Sequence, residues 1–160
     1  MSGEGRAAWW KGTRGEWWVV GQLVLMAAVV FAPADWRWTA SRGVWIAPGV
    51  LLVAVGLGFA ARGILDLGPS LSPFPRPRRD AILVQTGTFA HVRHPIYGGL
   101  ILASVGWALW RTSGLHVALT AALAVYLHAK ARHEEMLLLE RFPAYAAYRT
   151  RTKQLIPWIF

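Results

Sequence analysis

The chain has no cysteine among its 160 residues. That excludes disulfides, thiolate metal sites, iron–sulfur clusters and a cysteine nucleophile. Acidic residues are scarce: eight Asp and Glu stand against 17 Lys and Arg, a formal net charge of +9. No G-x-G-x-x-G follows a strand-like run, and there is neither a P-loop nor a G-x-S-x-G. The usual nucleotide-fold and serine-hydrolase readings therefore have no support. His91, His116, His128 and His133 do not combine with Glu134 or Glu135 in a metal-ligand pattern, since His128-x4-His133 is not the i, i+4 pair of a zinc protease. No metal site is expected.

What the chain does have is apolar residues in long runs. They make up 55% of the sequence, and the mean hydropathy is +0.36. Short basic segments separate the runs, as in a chain whose apolar surface is partly taken up by lipid. Of the ten Trp, many flank the runs (Trp9, Trp10, Trp17, Trp18, Trp36, Trp38, Trp107, Trp110, Trp158), where an amphipathic indole meets the headgroup layer. Lys and Arg cluster beside the runs and avoid their interiors. That distribution points to membrane topology and contact with anionic lipid, with no nucleic-acid partner.

The pattern predicts an all-α polytopic membrane bundle of about four transmembrane helices, one domain over residues 1–160. The spans fall at about 17–33, 43–67, 96–110 and 115–129. The first lacks a convincing cleavage site and is expected to be retained. The second carries Pro48, Gly49, Gly56, Gly58 and Gly63, and such glycines let membrane helices approach closely. Between the second and third spans, residues 68–95 are too rich in proline for a continuous helix. Arg111-Thr112-Ser113-Gly114 is short enough to force a hairpin, and the fourth helix is expected to run on to about Arg141, ahead of a C-terminal segment within 130–160. With the N-terminus inside, Arg6, Lys11, Arg14, Arg62, Arg76, Arg78, Arg79, Arg93, Lys130, Arg132, Arg141, Arg149, Arg151 and Lys153 share the cytoplasmic side. Only Arg37, Arg42 and Arg111 lie opposite. This positive-inside bias predicts a multi-pass protein of the cell (inner) membrane with both termini and the 68–95 loop cytoplasmic.

Two segments carry chemistry. In the first, a polar loop enters the third helix at Arg93-His94-Pro95-Ile96-Tyr97-Gly98-Gly99. Pro95 suits the first helical turn, and Arg93 and His94 then sit at the positive end of the helix dipole. A basic anchor with small-residue helix packing is the other reading of these residues. The second segment is Lys130-Ala131-Arg132-His133-Glu134-Glu135. Tyr126, Lys130, Glu134 and Leu138 share one helix face. A solvated ion-paired face is the commoner explanation of such a run, but acids this near hydrocarbon cost free energy unless partnered.

Leu-Val-x-x-Gly-x-Phe at 83–89, Arg-His-Pro-x-Tyr-x-Gly at 93–99 and Glu-Glu-x4-Glu-Arg-Phe-Pro-Ala-Tyr-Ala-Ala-Tyr at 134–148 together resemble the isoprenylcysteine carboxyl methyltransferase family and its relatives, the membrane phospholipid methyltransferases. Leu-Ile-Pro-Trp-Ile at 155–159 also fits, so the likeness covers about half the chain. It implies S-adenosylmethionine as methyl donor and a lipid-tailed or prenylated acceptor reached from the bilayer.

Carried over by position, Leu83 and Val84 would present backbone to the cofactor and Phe89 would pack against it. His94, Pro95, Ile96 and Tyr97 would form its cradle, and Glu134 would bind its polar end. Lys130 stands where carboxylate-methylating relatives place a substrate-contacting Arg, and Phe89 where a Tyr is usual. Lys lacks the planar fork of Arg, which Arg93 or Arg132 would have to supply. Arg93 and Lys130 are thus candidates to place a carboxylate acceptor, the favoured substrate. Glu135 or His94 would take the proton of an amine acceptor. Two other readings are an NADPH-dependent membrane reductase of the sterol-reductase type and a non-catalytic membrane scaffold.

Overall fold

A computed structural model describes residues 15–39, 41–77 and 80–156. The expectations placed on residues 1–14, 78–79 and 157–160 lie outside these. The described residues form five helices in order: α1 (Glu16–Phe31), α2 (Gly43–Leu67), α3 (Pro95–Arg111), α4 (Gly114–Arg141) and α5 (Tyr145–Arg151). Single 3-10 turns at Gly68–Ser70 and Gly87–Ala90 punctuate the connection that proline keeps from being helical. Among the described residues there is no strand, only the isolated bridges Arg37–Ser113 and Val92–Lys153.

Local chemistry sets the helix ends. Pro95 opens α3 at a position where its missing N–H costs nothing. Thr112 closes α3 in the left-handed region at φ +48. The Ser113 side chain then accepts from the His116 amide at 3.4 Å and donates to the Asp35 carbonyl at 2.6 Å, which caps α4 and pins the α1–α2 loop on the hairpin turn. The hairpin is therefore as tight as the sequence requires.

α2 and α3 form the most intimate helix pair. Glycines at seven-residue spacing face each other: Gly49 and Gly56 on α2 against Gly106 and Gly99 on α3. A Cβ on Gly56 would lie 2.5 Å from the Ala103 nitrogen and 2.6 Å from the Gly99 carbonyl oxygen, so backbone meets backbone there. Gly58, expected to pack likewise, faces open space. α3 in turn leans on α4, and α4 on α1, around Val29, Leu123 and Leu127.

Outward, Leu23, Val24, Phe31, Val44, Leu51, Val55, Leu57, Leu65 and Val125 are exposed. So much exposed apolar surface is out of place in water and ordinary in lipid. Among the described residues, two helices are long and apolar enough to cross a bilayer, α2 with the turn after it and α4; α1 is a shorter apolar helix.

The glycine seam yields a paired expectation. Gly56→Ala should destabilise the detergent-solubilised protein by about 1–3 kcal/mol through overpacking. Gly58→Ala should be neutral or gain up to roughly 1 kcal/mol of helix propensity. Thermal unfolding of the two variants side by side checks the contrast, and equal effects would refute the seam.

Candidate functional site

The site forms where the loop before α3, the charged end of α4 and the segment after α5 converge. Three devices bring the loop there. Gly87 adopts φ +61, and the Asp66 carboxylate fills the space a side chain would need while accepting from the Thr88 amide at 2.7 Å. Tyr148 donates from its hydroxyl to the Phe89 carbonyl at 2.7 Å. Finally, residues 91–94 pair with the chain end: the Arg93 and His94 amides donate to the Lys153 and Gln154 carbonyls at 2.8 and 2.9 Å. Gly98 lets this chain end cross α3, because a Cβ there would collide with the Leu155 carbonyl oxygen.

A cavity of about 320 Å3 opens beside these elements, near the lower limit of small-ligand sites. Phe89, Arg93, His94, Pro95, Ile96, Tyr97, Lys130 and Glu134 all line it. Leu138, one turn beyond Glu134, lines it too, so three of the four residues of the helix face read from the sequence meet the cavity, while Tyr126 instead donates to the Trp18 carbonyl at 3.0 Å. Glu134 Oε1 accepts from the Tyr97 hydroxyl at 2.6 Å, and its Oε2 lies 3.6 Å from His94 Nδ1. The His94 and Tyr97 rings stack in parallel at 5.4 Å.

Lys130 and Glu134 are not the surface ion pair that such spacing usually means: Lys130 is 2% exposed and its Nζ is 3.9 Å from Glu134. The ammonium instead donates to the Gln22 side-chain oxygen at 2.7 Å and the Pro73 carbonyl at 3.3 Å, and lies 5.3 Å from the centre of the Tyr97 ring.

Glu135 does not line the cavity. It stands behind Arg93 and His94, with its side chain 3% exposed. Arg93 Nε donates to it at 2.8 Å and Gln154 at 3.1 Å, Arg149 Nε is 3.3 Å from its other oxygen, and His94 Nε2 is 3.3 Å away. Arg93 also donates to the Arg149 and Thr152 carbonyls. Its Nε and Nη1 are thus committed to the protein. Arg132 is exposed and off the cavity wall; Leu83 and Val84 are half-buried and also off it, in the irregular segment ahead of Gly87. On α5, burial pushes the Tyr148 hydroxyl up to about 12 and Tyr145 higher still, so both stay neutral across physiological pH.

Gln22, Asp66, Arg149 and Gln154 were not singled out from sequence. Gln22 and Asp66 had a signal: each is a polar side chain inside an apolar run, where burial demands a partner. Arg149 and Gln154 had none, because only the fold brings the chain end under the loop.

Known proteins carry related chains. In structure, this fold matches the eukaryotic intramembrane Ras methyltransferase ICMT (isoprenylcysteine carboxyl methyltransferase), with a TM-score of 0.67 and 24% identity over 89% of this chain and 51% of that one. In sequence, the phospholipid methyltransferase family model matches residues 44–144, and the chain belongs to that family. It is similar to the cobalt-zinc-cadmium resistance protein CzcN of Cupriavidus metallidurans, 30% identical over 145 residues, and to the nickel-cobalt-cadmium resistance protein NccN of Alcaligenes xylosoxydans xylosoxydans, 31% identical over 145 residues. Each alignment covers 89% of this chain, which spans 62% and 63% of the lengths of those two relatives.

Glu135→Gln should cost about 3 kcal/mol or more, since it leaves the buried Arg93 guanidinium without its counter-charge. Arg149→Ala, whose side chain is 52% exposed, should cost at most about 1 kcal/mol. Thermal unfolding of both in detergent measures the difference, and comparable losses would remove Glu135 from its bracing role.

Proposed function

We propose that the chain is an integral membrane methyltransferase that uses S-adenosylmethionine to methylate the carboxylate of a lipid-tailed acceptor at the cytoplasmic face of the cell membrane. In this reading α1 to α4 are four spans of one membrane domain over 1–160, with both termini on the basic, cytoplasmic side. The observation that carries it is the convergence of Glu134, Tyr97, His94 and Lys130 on one largely apolar cavity, in a chain of the phospholipid methyltransferase family.

The residues present suit the donor. Glu134 offers a carboxylate to its ammonium group, while Phe89 and Tyr97 offer aromatic surface beside a sulfonium. His94, Pro95 and Ile96 complete that wall. Bound there, S-adenosylmethionine supplies an electrophilic methyl carbon. The hydroxyl of Tyr97 fixes the rotamer of Glu134, and Arg93, held by Glu135, fixes the start of α3. Lys130 places the acceptor. Its other contacts are two neutral oxygens and a carboxylate at 3.9 Å, so its charge is only partly offset and attracts an anionic head. An ammonium head would meet repulsion from Lys130. A carboxylate needs no base. It needs alignment and a water-poor cavity, which apolar walls such as Ile64, Leu67 and Leu71 provide.

Calorimetric titration of the purified protein with S-adenosylmethionine should show binding that Glu134→Gln and His94→Ala each weaken at least tenfold, with no response to NADPH. Absence of binding would end this reading, and a response to NADPH alone would favour a reductase. With tritiated methyl donor and membrane lipid extract, the label should be released by mild base as an ester would be; a base-stable label would indicate an amine acceptor. Lys130→Met should depress this transfer at least tenfold while donor affinity stays within twofold.

A further inference from the structure

Across Glu135 from the cavity lies a second concavity, about 610 Å3, between α4 and the end of α5 with the segment that follows it. Its charged and titratable walls are Arg93, His128, Arg132, Arg149, Arg151 and Lys153, and no acid lines it among the described residues. Glu135, the acid bonded to two of these arginines, already meets Arg93, Arg149, Gln154 and His94. One carboxylate thus stands against five permanent cations, and the excess positive field is focused in a groove. Its place on α4 says what anion comes within reach. His128 falls within the apolar part of the helix and Arg132, one turn on, within its charged part, so the groove straddles the level where hydrocarbon gives way to headgroups.

We propose that this groove is a binding site for the phosphate headgroup of an anionic phospholipid of the surrounding leaflet, separate from the methyl-transfer cavity. Guanidinium forks match phosphate oxygens in pairs. Arg132, Arg149, Arg151 and Lys153 are exposed, with Arg149 beside Glu135 and Arg151 donating to the Ala147 carbonyl and the Gln85 side-chain oxygen, whereas Arg93 is turned inward to Glu135 and the carbonyls of Arg149 and Thr152. Because Arg93 lines both concavities and Arg149 shares Glu135 with it, an occupied groove bears on the same braced loop that shapes the cavity. The site needs only that the chain is embedded in a bilayer, and it stands whether or not methyl transfer does.

The full chain reconstituted in phosphatidylcholine nanodiscs, with trace spin-labelled phosphatidylglycerol or spin-labelled phosphatidylcholine, tests this by electron paramagnetic resonance. The motionally restricted fraction should favour phosphatidylglycerol about fivefold, and the preference should fall as salt is raised. Combining Arg132→Gln with Lys153→Gln, both exposed, should bring the preference below twofold and leave S-adenosylmethionine affinity unchanged. Combining Arg76→Gln with Arg141→Gln, cations outside the groove, should keep it. No preference in the wild type, or equal loss in both double variants, would overturn the site. Displacement of the lipid by millimolar inorganic phosphate would overturn a lipid ligand in favour of free phosphate. A changed donor affinity in the groove variant would make the groove part of the donor site and overturn its separateness.

Discussion

The ion-pair cluster around Glu135 ties together three parts of the chain that lie far apart in sequence. Glu135 comes from α4, Arg93 and His94 from the entrance to α3, and Arg149 and Gln154 from α5 and the segment behind it. Burying a carboxylate at the end of an apolar helix is costly, and truncating such a network on one side costs more than a surface pair is ever worth. The cluster therefore acts as a constraint. Any arrangement that parts the loop from α4 leaves the Arg93 guanidinium without its carboxylate. The backbone pairing of 91–94 with 153–154 adds directional bonds to that electrostatic hold.

A cluster of this kind works only on a stable platform, and the platform is built without polar interactions. Where lipid solvates the outer face, exchanging lipid for protein gains little, so close packing has to hold the helices together. The α2–α3 glycine seam provides it: backbone approach at Gly49, Gly56, Gly99 and Gly106 fixes α3 along its length. Gly63, next on α2, packs beneath Pro95 and Ile96 and so extends the seam to the cavity wall. The seam sets the position of α3, and the Glu135 cluster sets what α3 presents to the cavity.

Much of this could be read along the chain because it depends on local pattern. The apolar runs, the tight hairpin at Thr112–Gly114 and the run of α4 to Arg141 follow from periodicity, capping and turn chemistry. The cavity face of α4 was legible because Lys130, Glu134 and Leu138 recur every four residues, although Tyr126, a turn earlier in the same series, turns to α1 instead. Partnership was harder to read. Lys130 and Glu134 stand at the spacing of a surface pair, but Lys130 donates its shortest bond to Gln22, 108 residues away. That glutamine lies on α1, outside the 44–144 stretch that matches the family. The roles of Arg149 and Gln154 depend on where an irregular segment lands, which no spacing rule encodes. Gly58 shows the opposite error: a glycine in a glycine-rich helix need not pack, and its register puts it on the open side.

Adjacent acids on one helix invite treatment as a pair, yet the fold separates them. Consecutive residues of an α-helix point about 100° apart, so Glu134 faces the cavity while Glu135 faces the loop and chain end. Their partners differ in kind. Glu134 meets a phenol and a histidine, with an ammonium at 3.9 Å, and keeps capacity for a ligand cation. Glu135 is saturated by two guanidinium groups, an amide and the other edge of the same histidine. His94 thus lies between a committed carboxylate and an available one, which ties its orientation to both. The charges follow the same division. Arg93 is balanced by Glu135 behind the wall, so the charge a ligand meets in the cavity is set chiefly by Glu134 and Lys130. One acid and one base in a mostly apolar chamber suit a pair of ligands of opposite charge, and a ligand pair carrying a single sign would leave one of the two without a counter-charge.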